Sequence, residues 1–359
     1  MSTPFELPES FRAWVAAAAA GLDTGETSAA DVVPQLAAAG LTGVGVAAPS
    51  GSGGDTFDAV RAIAAVARES LTAAFMLWGQ RSYIEFLLQT ANPQPKQHLP
   101  ALLAGRIAGA SGLSNAMKSL AGLEALQIRA RADGDGFVLN GKLPWVTNLR
   151  PAGFHVAVAV AVEREDGAAP FIAFLTDADS GLTRSPDLDT MGMRSSDTAS
   201  LAFADVRIGA ERILAADAGQ WLDELRPSFI SLQCGLSIGL AARALDEAAA
   251  RAAAGRGVLD DAIHAARERL ALAESRLAAG LRQRRFEHDA PGLFNLRIEL
   301  AEIVADAVAL ELQTTGGRAY LLSGGGDFAR RWREAAFIPL VTPSLTQMRT
   351  ALVQLRQAA

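Results

Sequence analysis

Residues 139–148 have the sequence LNGKLPWVTN, which has the character of a β-strand. Residues i and i+2 of a strand share one face, so Trp145 and Thr147 lie side by side. An indole plane next to a hydroxyl suits a flat heterocycle with polar edges, because the ring is covered while an edge atom is hydrogen-bonded. A flavin is such a ligand. The alternative interpretation is an ordinary cross-strand packing pair.

The segment resembles the LNGxKxWITN strand of the acyl-CoA dehydrogenase family, in which the tryptophan packs on the flavin and the threonine hydroxyl meets its N5 edge. The resemblance implies these roles for Trp145 and Thr147. Upstream, residues 112–115 (GLSN) resemble the family's GLTE turn, whose hydroxyl residue contacts the pyrimidine edge of the flavin. This match implies that Leu113 and Ser114 are cofactor-binding residues.

Further motifs of the same family follow along the chain. Residues 191–208 (MGMRSSDT, then LAFADVRI) resemble the family's MGxRxSxT and FxxVxVP hairpin, and residues 333–338 (REAAFI) resemble its RDAxI segment. Residues 313–317 (QTTGG) are similar to the QxxGG at a helix end, which reaches the cofactor of a neighbouring subunit. The resemblance therefore implies that Gln313, Gly316 and Gly317 bind FAD in an oligomer.

Arg251 precedes Gly255 by four residues and resembles the family's RxxxG arginine, which binds the FAD pyrophosphate. A guanidinium can pair with two phosphate oxygens at once. The match requires a deletion of several residues, and Ala254 stands where the family has a phenylalanine. A surface arginine without this role is the alternative interpretation.

Hydrophobic spacing divides the chain into an α, a β and an α region. Helical spacing over residues 8–104 gives way to short apolar runs separated by polar turns, and it returns beyond Trp221. The predicted domains are residues 1–105, 106–213 and 214–359. The resemblance implies an α+β fold of the acyl-CoA dehydrogenase type, with an N-terminal helical domain, a central antiparallel β-barrel and a C-terminal helical bundle that assembles with other subunits.

Composition limits the other possibilities. The chain of 359 residues is 50% hydrophobic and 20% charged, and its formal net charge of -6 removes any general electrostatic argument for nucleic acid or anionic membrane. The single cysteine, Cys234, excludes an internal disulfide, and no signal peptide is evident, so we expect a cytoplasmic protein. The four histidines are scattered without metal-ligand spacing, so we expect no metal site.

The chain departs from the family at the catalytic base. Acyl-CoA dehydrogenases remove an α-proton with a carboxylate, usually the glutamate of a YEGTSxxQR segment, and ungapped counting from Arg333 places Thr342 at that position. A neutral hydroxyl is no general base near pH 7 without assistance. The alternative base position of the family falls on Phe229, and Glu224 lies five residues earlier, where we do not expect it to act.

A second departure concerns the substrate, because residues 116–119 (AMKS) replace the family's PGAGSD, which contacts coenzyme A. Three hypotheses remain. The chain is an FAD-dependent oxidoreductase acting on an acyl thioester, a monooxygenase of the same fold that uses reduced flavin and O₂, or a non-catalytic flavin-binding subunit of a heteromeric dehydrogenase. A homodimer or homotetramer, or a heteromer with a homologue, is expected, and the sequence does not identify the substrate.

Overall fold

The computed structural model describes residues 5–120, 122, 124–162, 169–253, 255, 257–321 and 327–358. Its first part is helical, with α1 Glu9–Thr24, α2 Val32–Ala38, α3 Thr56–Glu69, α4 Leu71–Gln89, α5 Pro93–Lys96 and α6 Leu99–Leu103. Helix α4 is apolar on almost all sides, and it packs against α3 and, on another side, against the sheet. The Ser70 hydroxyl accepts from the Ala73 amide and fixes where α4 begins.

The middle of the chain forms a sheet. Its strands are β1 Ala108–Gly112, β2 Ile128–Asp133, β3 Gly136–Val146, β4 Phe154–Val162, β5 Phe171–Thr176, β6 Leu182–Arg184, β7 Ala199–Ile208 and β8 Ile213–Ala215, and helix α7 Ser114–Leu120 separates β1 from β2. The strand order is β6-β7-β3-β2-β4-β5-β8, and β1 pairs with β4 beside this path. This central sheet between two helical regions agrees with the predicted α, β, α order.

The predicted closed antiparallel barrel is wrong, because the sheet is mixed and open. Strand β4 pairs in parallel with both β1 and β2, and β6 and β8 end the path without pairing with each other in the described residues. Both end strands are only three residues long. Strand β4 has both faces buried, one in the core of the sheet and the other against helices, which is how a parallel strand is usually covered.

The last part of the chain is a helical bundle of α8 Ala218–Ala252, α9 Asp260–Arg282, α10 Ala290–Thr315, α11 Phe328–Phe337 and α12 Leu345–Ala358. Helix α8 packs along α10 and α3 and is the centre of the bundle. By length and composition it could cross a membrane, but 89% of its most apolar stretch is buried within the protein. Packing inside the bundle therefore accounts for its apolar character.

Buried ion pairs connect α11 to its neighbours. The Arg331 guanidinium pairs with the Glu311 carboxylate of α10, at 2.9 Å from Nε to Oε2. The Glu334 carboxylate accepts from the Leu71 amide at the start of α4 at 3.0 Å and from Arg330 at 3.0 Å. These contacts fix α11 and the loop after it against α4.

Candidate active site

A groove lies between the sheet, α4 and the segment from α11 to α12. It consists of two adjoining cavities, which we name after one lining residue each: the Arg333 cavity of about 530 Å³ and the Thr342 cavity of about 400 Å³. The two cavities share the following lining residues: Phe75, Pro144, Trp145, Phe337 and Leu340. Their shared apolar wall makes them one continuous site.

Strand β3 brings Trp145 and Thr147 to the same cavity. Trp145 is 46% exposed and lines both cavities, whereas Thr147 follows the end of the strand, is buried and lines the Thr342 cavity. A half-exposed indole in the wall of a groove offers a large flat surface to a ligand. Sequence reasoning predicted that these two side chains share one face, and in the structure both line the Thr342 cavity.

Hydroxyl groups continue from Thr147 along the sheet wall. Thr147 Oγ1 lies 2.9 Å from Thr198 Oγ1, which lies 2.8 Å from Ser196 Oγ. Thr198 and Ser196 line the Arg333 cavity and come from the MGMRSSDT segment. The wall therefore combines one aromatic plane with a row of hydroxyl donors and acceptors, which suits the polar edge and the side chain of a flavin.

The turn after β3 is held in place by α4 and β1. Asn148 has a left-handed backbone (φ 63°), and its side-chain amide donates to Gln80 Oε1 at 3.1 Å and to the Gly109 carbonyl at 2.8 Å. Its backbone amide donates to the Ser196 carbonyl at 3.1 Å. Asparagine tolerates this backbone region better than most residues. These bonds fix the direction in which Trp145 and Thr147 face.

The turn after β1 contributes Leu113 and Ser114, which both line the Thr342 cavity. Ser114 Oγ lies 2.9 Å from Thr342 Oγ1, so the two residues predicted from separate motifs form a hydroxyl pair. The Thr342 carbonyl accepts from Gln233 Nε2 at 2.8 Å, and Gln233 Oε1 accepts from Arg297 Nε at 3.1 Å. The loop between α11 and α12 is thereby held against α8 and α10.

The Thr342 cavity lacks a general base among the described residues that line it. None of them is an aspartate, a glutamate or a histidine, and the single charged one, Lys118, lies 3.5 Å from the Glu124 carboxylate. Phe229 lines the cavity at the family's alternative base position. Glu224 lines a different cavity and accepts from Gln220 at 2.9 Å. The described residues also contain no group of three potential metal ligands.

Four predicted cofactor residues lie outside the groove of their own chain, since Arg251, Gln313, Gly316 and Gly317 line neither cavity. Arg251 lies in the last turn of α8 and pairs with Glu247 at 3.3 Å. Gly316 ends α10 with φ 67°, a backbone conformation that favours glycine. The contact of Gln313, Gly316 and Gly317 with the cofactor of a neighbouring subunit stays a prediction, and so does the contact of Arg251 with the FAD pyrophosphate.

Sequence reasoning missed several residues of the site. Phe75 and Trp78 of α4 line the Thr342 cavity, and no sequence signal separates them from core residues of an apolar helix. Arg333 lines the other cavity and pairs with the buried Asp23 carboxylate of α1, at 2.8 Å from Nε to Oδ2. Asp23 has a signal that sequence reasoning could have used, because a charged residue at an apolar position of a helix is unusual. It directly follows Leu22, and both side chains are buried in α1.

One buried acid lies beside the hydroxyl row. Burial and, to a smaller extent, the nearby Asp187 carboxylate raise the pKa of Asp197 to about 6, against the lowering effect of Arg184 and Arg150. Its Oδ2 atom has no hydrogen-bond partner among the described residues. Because Asp197 lies between Ser196 and Thr198, its charge state bears on the stability of the groove wall.

Known proteins resemble this chain in sequence over about half of its length. No protein-family model matches the chain. The chain is 32% identical over 214 residues to a probable acyl-CoA dehydrogenase of Bacillus subtilis (strain 168), covering 56% of this chain and 54% of that protein. A probable acyl-CoA dehydrogenase of Mycobacterium tuberculosis is 31% identical over 210 residues, which are 56% of this chain and 52% of that one. The chain thus matches about half the length of these curated relatives.

Solved structures share the fold over nearly the whole chain. Butyryl-CoA dehydrogenase from Megasphaera elsdenii has a TM-score of 0.84 at 19% identity, covering 98% of this chain and 100% of that one. KijD3 in complex with FMN and dTDP-3-amino-2,3,6-trideoxy-4-keto-3-methyl-D-glucose has a TM-score of 0.81 at 21% identity, covering 97% and 91%. At these identities the likeness establishes the fold alone.

Proposed function

We propose that this chain is a member of the acyl-CoA dehydrogenase family and, from that premise, that it is a flavin-dependent oxidoreductase that dehydrogenates an acyl thioester between its α and β carbons. The observation that carries the proposal is the groove wall that joins the exposed Trp145 indole to the hydroxyl row beginning at Thr147. The aromatic plane and the hydroxyl row belong to one continuous cavity, as a flavin ring requires.

The residues present fit a flavin. Trp145, Met191 and Leu340 are apolar side chains that stay 46%, 70% and 64% exposed while lining the groove, and a bound ring would cover them. A flavin bound there supplies the hydride acceptor of the reaction. We propose FAD as the form bound, because Arg251, Gln313, Gly316 and Gly317 match segments that contact its distal half in the family.

The chain's own residues would bind and orient both reactants. In the proposed reaction the substrate loses an α-proton to a base and a β-hydride to the oxidant. Thr342 and Ser114 form a neutral hydroxyl pair, which can donate to a carbonyl oxygen but cannot take the α-proton unassisted. We propose that Thr342 is a binding residue and that the base is not one of the described side chains lining its cavity.

The lack of a general base in the described lining of the Thr342 cavity also favours a second candidate, a monooxygenase of the same fold. Such an enzyme transfers one oxygen atom of O₂ to the substrate, reduces the other to water and reoxidises the reduced flavin, and it requires no α-proton base. The observation in its favour is the absence of carboxylate and imidazole among the described residues of the Thr342 cavity. The non-catalytic partner subunit remains a third hypothesis with the same motivation.

Three further proposals accompany this function. We propose a cytoplasmic location, supported by the composition and the single cysteine, Cys234, which is buried. We propose small-molecule substrates rather than nucleic acid or membranes as partners, because the formal net charge is -6.

We also propose that residues 1–105, 106–213 and 214–359 are the domains and that the chain forms a homodimer or homotetramer.

The decisive test is anaerobic titration of the purified protein with a panel of acyl-CoA thioesters while the flavin absorbance is recorded. Bleaching of the flavin by a saturated thioester supports the dehydrogenase. Substrate-accelerated reoxidation of the chemically reduced flavin by O₂, with no bleaching by any thioester, favours the monooxygenase. A purified protein that binds no flavin at micromolar concentration contradicts both.

A further inference from the structure

The inner end of the Thr342 cavity is closed by aromatic side chains of two helices. Phe75 and Trp78 lie one turn apart on α4 with their rings stacked, at 5.3 Å between centroids and 4° between planes. Phe229 of α8 contacts Trp78 at 5.2 Å between ring centroids. Trp78 and Phe229 are 6% and 3% exposed, and all three rings line the cavity. The acyl end of a bound substrate would meet this wall.

A second layer of rings lies behind the wall. Phe86 lies about two turns after Trp78 on the same helix. Its ring stacks on Phe229 at 6.1 Å between centroids and contacts Trp221 edge-on at 5.4 Å between centroids. Phe86 is fully buried, Trp221 is nearly so, and neither lines the Thr342 cavity. Phe86 and Trp221 therefore lie outside the cavity and pack behind the ring of Phe229 that lines it.

The volume of the cavity also bears on the size of the substrate. The Thr342 cavity measures about 400 Å³, at the low end of the roughly 300–1,000 Å³ typical of small-molecule sites. A flavin bound beside Thr147 would take part of that space. The remainder would accommodate a short acyl chain or a single small ring, and flat faces suit the aromatic wall.

We propose that Trp78 and Phe229 determine substrate specificity by closing the acyl pocket, so that the protein accepts a compact acyl group and rejects long chains. This inference rests on the proposed function, since it concerns the substrate of the same site. It assigns no chemical step to either residue. Both rings act by limiting the volume of the cavity and by defining its shape.

The experiment measures binding, because binding does not require the missing base. The flavin-loaded protein is titrated with crotonyl-CoA, cyclohexenecarbonyl-CoA, octenoyl-CoA and dodecenoyl-CoA, which are enoyl thioesters already unsaturated at the reacting bond, and the flavin spectrum reports Kd. An open apolar pocket would tighten binding about fourfold per added methylene, from ~0.8 kcal/mol for each buried CH₂. We expect the wild-type protein to lack this gain and to bind the first two ligands most tightly.

The variants Phe229→Ala and Trp78→Leu open the wall, and Phe229→Leu and Trp78→Phe are milder changes in case the larger ones do not fold. Each opened variant should bind octenoyl-CoA and dodecenoyl-CoA more tightly, by about fourfold for every methylene that enters the new space. The matched control is Phe86→Leu, which disturbs the same aromatic row without lining the cavity. It should leave the ligand preference of the wild-type protein unchanged.

The outcomes separate this inference from the proposed function. Wild-type binding that tightens with chain length overturns the inference while leaving the flavin-dependent function intact. The same holds if Phe86→Leu shifts the preference as much as Phe229→Ala does. A flavin-loaded protein whose spectrum responds to none of the four thioesters overturns both, because it would show that the site takes no acyl thioester.

Discussion

At the scale of single residues, the Trp145 indole is the largest flat surface that β3 offers to the groove. Ring stacking contributes about 0.5–1.5 kcal/mol beyond the area buried, so Trp145→Ala should weaken flavin binding by at least about tenfold. Flavin content after gel filtration, and Kd from fluorescence quenching, measure the effect. The matched control is Trp332→Ala, because Trp332 is 47% exposed but lines neither cavity. Equal flavin loss in both variants would contradict the assignment.

The charge of Asp197 predicts how stability depends on pH. Burial raises its pKa from 3.8 to about 6, so between these pH values the folded state binds more protons than the unfolded state, and the free energy of unfolding falls as pH rises. A shift of about two pKa units corresponds to ~3 kcal/mol. Asp197→Asn should therefore be more stable than the wild type at pH 7, by roughly 1–3 kcal/mol, and equal to it near pH 4.

Urea unfolding at pH 4 and pH 7 tests this expectation. The substitution should leave the backbone unchanged, because Asp197 has φ 48° and asparagine tolerates that region. The control is Asp205→Asn, because Asp205 also has a positive φ (53°) but is exposed. A stability difference at pH 7 that appears equally in the control would show that the left-handed turn, not the buried charge, is responsible.

Thr342 gives the sharpest residue-level test of the reaction. Replacing it by glutamate would add an ionisable group to a cavity whose described lining has no carboxylate, and general-base catalysis contributes about 10²–10⁴-fold. Because Pro343 fixes its own φ near -65°, the fairer variant is Thr342→Glu with Pro343→Gly. We expect faster flavin reduction by a short saturated acyl-CoA in a stopped-flow experiment. Thr342→Gln with Pro343→Gly is the neutral control.

A glutamate variant that reduces the flavin no faster than the unmodified protein would contradict the placement of Thr342 at the reacting carbon, because the added carboxylate would then not reach the α-proton. Activity of the glutamine variant equal to that of the glutamate variant would have the same meaning, since only the carboxylate can accept the proton near neutral pH.

The site residues predicted from sequence and those missed differ in the kind of sequence signal that locates them. Trp145 and Thr147 are close in sequence and share a strand face, so local geometry alone brings them together. Ser114 and Thr342 are 228 residues apart, and only the motif order of a known family placed them at one site. Phe75 and Trp78 carry no such motif, and their helix is apolar on nearly all sides, so the face that meets the groove was not visible.

At the scale of secondary-structure elements, Gln233 of α8 connects the Thr342 loop to α10. It donates to the Thr342 carbonyl and accepts from the buried Arg297, whose Nη2 donates to the Ile338 carbonyl at 2.8 Å. Gln233→Leu would leave the Thr342 carbonyl and the Nε atom of Arg297 without these hydrogen bonds, and each buried unsatisfied group costs about 1–3 kcal/mol. We expect the free energy of unfolding to fall by ~2–4 kcal/mol in urea titrations.

The control for this prediction is Gln220→Leu on the same helix, because Gln220 is exposed and bonds only with nearby groups of the same helix terminus. It should change stability by less than about 0.5 kcal/mol, as surface substitutions usually do. If Gln233→Leu is equally harmless, the network does not hold the loop that carries Thr342.

The sheet shows which part of the fold sequence patterns leave undetermined. The polar turn Asp133–Gly136 joins β2 to β3, and the pairing of these two strands is local in sequence. The parallel pairing of β1 with β4 joins segments about 46 residues apart, and β4 is apolar throughout because both of its faces are buried. A continuous apolar run indicates a buried strand but does not reveal its partners or their direction.

At the scale of the whole molecule, the residues predicted to bind flavin do not all line the groove of a single subunit. The groove holds Trp145 and Thr147, while Arg251 and Gln313 line neither of its cavities. A closed symmetric assembly would repeat the contact of one subunit's α10 end with the next subunit's groove. We therefore expect light scattering to show at least a dimer, and a stable monomer that still holds FAD would contradict the proposal.

Subunit complementation tests the shared site directly. One variant carries Trp145→Ala, the other carries Arg251→Ala with Gln313→Ala, and each alone should lose flavin because every site in its oligomer has one damaged half. In a mixed dimer purified through two different tags, one site combines both damaged halves, while the other combines the intact groove with the intact helix ends. If the site is shared, the mixed dimer recovers about half of the wild-type flavin content, because only one of its two sites combines two intact halves. If both single-variant proteins lose flavin and the mixed dimer shows no recovery, Arg251 and Gln313 act within their own subunit. If the Arg251→Ala, Gln313→Ala variant keeps its flavin, these two residues do not bind the cofactor.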